Sequence, residues 1–435
     1  MKTPLMTGIF LALACCVAAG AAAPQAAKFR VIYQGGPYGI PTRIAQVTPE
    51  LFLWDTRYAI YSIDKRGGIA GPFASAPSGC TICGLTAPVP AANGRQYAYL
   101  AGDSNNPSHL LSFDLKLNGS RDYAQQALTP NGPLSNLPDG KLLGLAPSGT
   151  GYYAVITDLE GSSTAINYDF PGLGNAAGPI YASDGNYYGA LSPQGQSSYL
   201  YRLTPAGVFT HVANTPSSAN PQYLVQGADG NFYGLTAYAG AGGYGAFYQV
   251  TMAGRYTLLY SFAKSNPNPG ALVQASDGNF YGITNVTAVP PRGGELFQLT
   301  TAGQYTAIHK INGHEGQAWF TSLIQGDDGV LYGTATAGGD YGSGTIFAVD
   351  LGLPKPAPRA LDFSPAQGRP GDKVRIWGYQ LLGAAVTFGG VAAADVKNAG
   401  PNYVWATVPK GAKSGPLVIT TPGGSSTTTA GFTVR

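Results

Sequence analysis

The sequence predicts an all-β protein: a seven-bladed β-propeller closed by an N-terminal strand, followed by a small Ig-like β-sandwich. Three observations carry this. A segment Asp-Gly-Asn-aromatic-Tyr-Gly recurs along the chain, each period divides into four short strand-like runs, and the last period lacks a fourth run that the N-terminus can supply. Composition agrees, since 435 residues with 62 Gly, 33 Pro, 28 Tyr and 11% charged side chains suit turn-rich β structure rather than long helices.

The repeat is closest at Asp184–Gly189, Asp229–Gly234 and Asp277–Gly282. A degraded copy starts at Asp328, and weaker echoes lie at Asp139, Asn93 and Pro49. The first turn residues are 49, 93, 139, 184, 229, 277 and 328, giving steps of 44, 46, 45, 45, 48 and 51 and hence seven units. Within a unit, Tyr223–Gln226, Asn231–Leu235, Ala246–Val250 and Tyr256–Phe262 read as four strands. Asp-Gly suits the first hairpin because Gly accepts positive φ and Asp caps its own turn. Thr204–Gly207, Thr251–Gly254 and Thr301–Gly303 mark the turn between strands three and four. The seventh unit passes from Thr345–Val349 into a Pro-rich stretch with no fourth strand. Phe29–Gln34 resembles the fourth-strand segments and is expected to complete that blade, leaving no free sheet edge at the seam.

At the N-terminus, residues 1–23 fit a secretory signal: Lys2 precedes an uncharged apolar stretch and the small residues Ala18–Ala23. A retained anchor is the alternative, although the run is short and Ala-rich for a span. No later segment could cross a bilayer as a helix. The expected mature protein is secreted, periplasmic or at the cell surface. There Cys80 and Cys83 are expected to form a disulfide; a redox Cys-x-x-Cys is the other reading, but it belongs at a helix start. Four His (His109, His211, His309, His314) and two Cys do not compose a zinc set, and neither metal nor cofactor is expected.

The propeller is assigned to residues 28–351, a Pro-rich linker to 352–358 and the second domain to 359–435. Residues 24–353 carry 15 Lys+Arg against 19 Asp+Glu (net −4), and residues 354–435 carry 9 against 3 (net +6). A basic tail can attach to an anionic envelope or be a solvated face.

Leu-Val-Gln-x-x-Asp-Gly-Asn-Phe-Tyr-Gly, followed by Thr-x-Ala-Gly and Tyr-Thr-Leu-Leu-Tyr-Ser-Phe, resembles the GloVer-type tandem repeat of exported bacterial proteins over about residues 177–350. The tail is similar to an IPT/TIG domain through Phe363-Ser364-Pro365, Ile376-Trp377-Gly378, Val386–Gly390, Thr407-Val408-Pro409 and Thr421–Gly424. That resemblance implies an extracytoplasmic β-sandwich for spacing or adhesion and brings no catalytic residue; relatives in transcription factors bind DNA, but an exported chain has little access to it, so nucleic acid is not an expected partner.

Loops between strands two and three, and the links between blades, share the face opposite the Asp-Gly turns. They vary most, so a ligand site is expected there, around the channel. Tyr238, Tyr244 and Tyr341 are candidates to stack on a glycan, a cell-envelope polymer or another protein; packing between blades is the competing role for each. Asp184, Asp229, Asp277 and Asp328 are explained by their turns and are scattered around the ring, which disfavours a shared metal cage or acid–base pair.

The enzyme alternative is a propeller-type lyase or carbohydrate-active enzyme. Asp-Gly-Asn-aromatic also resembles the repeats of streptogramin lyases, which need a His base and acidic metal ligands facing one channel. His314 and Glu315, in Asn312–Gly316, are the one place where His meets an acid in a Gly-framed loop. The Trp-Phe-Thr pattern of those repeats is absent and no second His joins His314. The expected function is therefore a noncatalytic binding or cell-surface interaction protein.

Overall fold

The structure, a computed structural model, describes residues 27–56, 58–76, 84–86, 88–101, 108–114, 121–125, 134–147, 151–159, 163–171, 174–193, 197–215, 220–286 and 293–435. Residues 1–23 and the Cys80–Cys83 pair lie outside them. The described residues form strands and turns without an α-helix, so no helix is long and apolar enough to cross a membrane.

Seven sheets follow one another between residues 28 and 350, and two more lie beyond 359. In the fifth, Pro221–Gln226, Phe232–Thr236, Ala246–Val250 and Tyr256–Ser261 pair antiparallel in chain order. The others repeat this, except that the second sheet's inner edge is split into Gly84–Leu85 and Val89–Pro90. In the seventh, the outer place is taken by the N-terminal strand Lys28–Tyr33, which pairs with Thr345–Asp350. Neighbouring sheets touch in order, and the first meets the last through Arg43–Gln46 against Gln317–Gln325, so the sheets close into a ring.

Local chemistry explains the repeat. Asp229 Oδ1 accepts the Asn231 N–H at 3.1 Å, closing the turn, and Gly230 takes φ +84. The other carboxylate oxygen accepts the Tyr233 hydroxyl at 2.8 Å, so the buried phenol two residues into the strand is satisfied by the turn. Asp184–Tyr188, Asp277–Tyr281 and Asp328–Tyr332 repeat the pair. The glycine after each tyrosine makes room for an aromatic ring. A Cβ on Gly189 would stand 2.3 Å from the Tyr201 hydroxyl, its partner in register.

Two further contacts run between sheets. Three of the four repeat tyrosines pack on the first aromatic of the next sheet: Tyr188 on Phe232 at 4.2 Å, Tyr233 on Phe280 at 4.4 Å and, across the seam, Tyr332 on Phe52 at 4.3 Å; Tyr281 shares a core cluster with Leu331 instead. The glutamine that ends the inner strands of the first, fifth, sixth and seventh sheets reaches back to the preceding turn. Gln226 Oε1 accepts the Ser183 N–H at 2.9 Å, Gln274 that of Ala228 at 2.8 Å, Gln325 that of Ser276 at 2.9 Å, and Gln46 that of Asp327 at 2.9 Å. The same amides donate to their own turn carbonyls, at Gly230, Gly278 and Gly329.

The last two sheets, Arg359–Ser364 with Lys373–Tyr379, Tyr403–Thr407 and Asp395–Asn398, and Gln367–Gly368 with Gly424–Val434, Gly415–Thr421, Ala385–Phe388 and Val391–Ala392, share one core around Ile376, Phe388, Val404, Leu417 and Phe432. This module rests on the Asp-Gly-turn face of the ring. Trp405 Nε1 donates to Ala92 O at 2.7 Å, Tyr403 Oη to Leu137 O at 3.0 Å, Arg375 Nη2 to Pro138 O at 2.7 Å and Tyr379 Oη to Tyr181 O at 3.2 Å. Trp377 stands edge-on to Tyr181 at 4.4 Å. The basic tail is thus partly spent on the ring, since Arg359 also donates to Gln226 Oε1 at 3.2 Å.

Apart from the Arg359 bond, these attachments fall where the glutamine is missing. Pro90, Asn136 and Tyr181 replace it in the second, third and fourth sheets, and Pro138, before Asp139, has no N–H to offer. Arg375→Ala with Tyr403→Phe, which deletes two of the bonds at about 1 kcal/mol each, should accelerate amide exchange in Gln96–Ala101 and Leu142–Pro147. Phe232–Thr236 and Phe280–Val286 should stay protected in a mass-spectrometric exchange experiment. Uniform acceleration around the ring would contradict the account.

Candidate functional site

With the turn face occupied by the module, the loop face remains. Nine large hydrophobic side chains are exposed among the described residues; five of them (Tyr38, Ile40, Tyr58, Tyr238 and Tyr341) sit on loops or links of this face, and Trp319 lies near the start of an inner strand. Tyr341 is 73% exposed and Tyr238 61%, whereas Tyr244 is half-buried against the cluster that holds Tyr233 and Phe247. Two of the three tyrosines singled out by sequence therefore face solvent and one packs between sheets. Trp319, 52% exposed at the start of an inner strand, escaped the sequence reading because it lies outside the variable loops.

His314 and Glu315 are adjacent in sequence but join different pairs. Glu315 accepts from His309 Nε2 at 3.0 and 3.1 Å and from the Asn312 N–H at 3.0 Å, which locks the turn before the last inner strand. His314 Nδ1 lies 2.5 Å from Asp340 Oδ1, and its Nε2 lies 3.3 Å from Gln34 Nε2. The Asp340 N–H donates to Gln34 Oε1 at 2.9 Å, which orients the amide so that its NH₂ faces the imidazole. His314 then carries its proton on Nδ1 toward Asp340 and accepts at Nε2, with both nitrogens engaged. The pair ties the end of the N-terminal strand to the seventh sheet's loop. Sequence could not find these partners, because Gln34 and Asp340 are far from position 314 in the chain.

A second polar cluster lines the ring's inner wall toward the same face. Arg43 opens the first inner strand and stands in register with Asp55. Thr42 Oγ1 donates to Asp55 Oδ2 at 2.7 Å. Across the channel, the Tyr223 hydroxyl of the fifth sheet reaches Thr321 O of the seventh at 3.5 Å. Asp55 is 1% exposed, and burial pushes its carboxyl up to about 6, against the opposing pull of the Arg43 charge and the Thr42 hydrogen bond. Asp55 Oδ1 and Arg43 Nη1 have no hydrogen-bond partner among the described residues. Those residues contain no group of three or more His, Cys, Asp and Glu able to hold a metal ion.

Residues 175–355 match the model of the Gloeobacter/Verrucomicrobia repeat. The chain carries a repeat β-propeller. Among solved structures, a streptogramin B lyase is 15% identical at a TM-score of 0.56, covering 75% of this chain and 98% of its own. Virginiamycin B lyase from Staphylococcus aureus is 14% identical at 0.55, with 75% and 99% covered. An oligogalacturonate lyase in complex with manganese is 14% identical at 0.51, with 76% and 97% covered. At this identity the likeness is one of fold. No curated protein matches the sequence.

The Asp55 site of the propeller makes stability depend on pH. The folded carboxyl titrates near 6 and the unfolded one near 3.8, so between these values the folded state binds more protons. Stability should fall as pH rises from about 4 to about 6 and level off above, by roughly 3 kcal/mol from this group. Asp55→Asn should flatten that decline in urea midpoints taken across the range; parallel curves for the two proteins would refute the assignment.

Proposed function

We propose that this protein is an exported, noncatalytic binding or surface-interaction protein. In this reading it is a seven-bladed propeller, closed by its N-terminal strand and carrying an Ig-like IPT/TIG module, that holds its ligand on the loop face. The observation that carries the reading is the collection of exposed aromatic side chains there. Exposed aromatics are costly to solubility and suit stacking on sugar rings or on apolar side chains. They concentrate on the fifth, seventh and first sheets.

The seven consecutive four-stranded or split sheets and the two-sheet core beyond residue 359 support the blade count and the sandwich. Export rests on residues 1–23 alone. Acid–base catalysis by His314 or Glu315 is less favoured, because their functional atoms are tied to Gln34, Asp340, His309 and Asn312.

The mature chain should bind at least one member of a panel of neutral and charged glycans and purified cell-wall polymer. Trp319→Ala and Tyr341→Ala should each weaken that binding by about tenfold or more, as loss of an interfacial aromatic anchor does, with the thermal midpoint unchanged. Binding that survives both substitutions, or no binding across the panel, would remove the loop face as the site.

A further inference from the structure

A cleft of about 390 Å³ opens between the C-terminal module and the second sheet's turn, Ala92–Gly94. Its module wall is one face of the sheet formed by Lys373–Tyr379, Tyr403–Thr407 and Asp395–Asn398. Register fixes what that face carries. Val374, Ile376, Val404 and Ala406 point into the module core, so the alternate residues Lys373, Arg375 and Trp377, Tyr403, Trp405 and Thr407, and Asp395 and Lys397 share the opposite side. Half of this face is explained by docking, since Trp377, Tyr403 and Arg375 hold the ring. The other half, Lys373, Trp405, Lys397, Thr407 and Asp395, lines the cleft; of these, Trp405 reaches back to the docked half, with its N–H on Ala92 O, its ring packed against Ala92, Trp377 and Tyr403, and the Arg375 guanidinium 6.0 Å from its centroid.

Trp405 is the centre of it. Its N–H is tied to Ala92 O, which holds the half-buried indole in one orientation as a wall of the cleft. Lys373 and Lys397 are exposed, come from the strands on either side of Trp405, and make no ion pair among the described residues; Asp395 is the one carboxylate on the lining. A fixed indole flanked by two unpaired ammonium groups offers a stacking surface and charge for an anion at its edge. Asn398 Oδ1 is left to accept, its amide nitrogen being given to Leu381 O. The volume falls in the range of small-ligand sites.

We propose that this cleft binds a carboxylated saccharide, the sugar ring lying on Trp405 and the carboxylate meeting Lys373 and Lys397. The site is separate from the loop face and stands on opposite walls of the ring, so either can fail without the other.

The test uses the full mature chain, with a hyaluronan tetrasaccharide and its methyl ester as probes in isothermal titration calorimetry. The acid should bind, more weakly as salt is raised, and the ester at least about tenfold more weakly because it forfeits the charge-assisted bonds. Lys373→Gln with Lys397→Gln should cost a similar factor with no change in melting temperature, while Trp319→Ala and Tyr341→Ala leave the affinity unaltered. No heat with the acid, equal binding of the ester, retention of affinity in the lysine double variant, or its loss in the loop-face variants would each overturn the proposal.

Discussion

The glutamine that ends four of the seven inner strands is the contact on which the ring depends. A four-stranded sheet cannot bury both faces alone, and a ring of them must fix the rotation of each sheet about its neighbour. Packing of Tyr188 on Phe232 or Tyr332 on Phe52 supplies burial but tolerates sliding. The amides of Gln226, Gln274, Gln325 and Gln46 do not, because each joins a turn in its own sheet to the N–H before the aspartate of the preceding one. Since Gln46 makes this bond to Asp327 across the seam, the device that orders consecutive sheets also closes the circle.

What the glutamines leave undone explains the position of the C-terminal module. From the second sheet to the fourth the inner strands end in Pro90, Asn136 and Tyr181, and buried Asn136 Oδ1 has no hydrogen-bond partner among the described residues. The carbonyls of Ala92, Leu137, Pro138 and Tyr181 are the ones that receive Trp405, Tyr403, Arg375 and Tyr379. The less regular arc is therefore held from outside by the C-terminal sheets. The linker joins the regular arc as well, with Pro354 O accepting from Gln325 Nε2 at 3.2 Å. The module is a brace across the turn face.

The sequence disclosed features whose partners are near in the chain and concealed those whose partners are far. Asp229, Gly230 and Asn231 close a turn among themselves, so the turn could be read directly. The acceptance of Tyr233 by Asp229 spans only four residues, yet needed the strand direction to be seen. Gln226 stood in plain view in Leu-Val-Gln, but its partner Ser183 lies 43 residues away and no local pattern marks it. Glu315 looked like a partner for His314 because they are neighbours; a tight turn instead sends the two side chains to His309 and Asp340. Charge counting showed a basic tail and could not show that Arg359 and Arg375 are spent on Gln226 and Pro138.

This division between faces constrains where binding can evolve. The short turns at Asp184, Asp229, Asp277 and Asp328 carry the bonds that hold the ring, so substitution there trades directly against stability. Loops such as 237–245 and 338–344 hang from strand ends already fixed on the far side, and can change length or gain a Tyr341 without disturbing a latch. The cost appears one layer inward. Arg43 and Asp55 sit where the inner wall approaches the loop face, and the buried carboxylate, pushed up to about 6, weakens the fold at neutral pH. A ring braced by four glutamine latches, a closing strand and a docked domain can carry that destabilisation, and its channel wall then keeps a polar group that a less constrained sheet would have replaced by an apolar one.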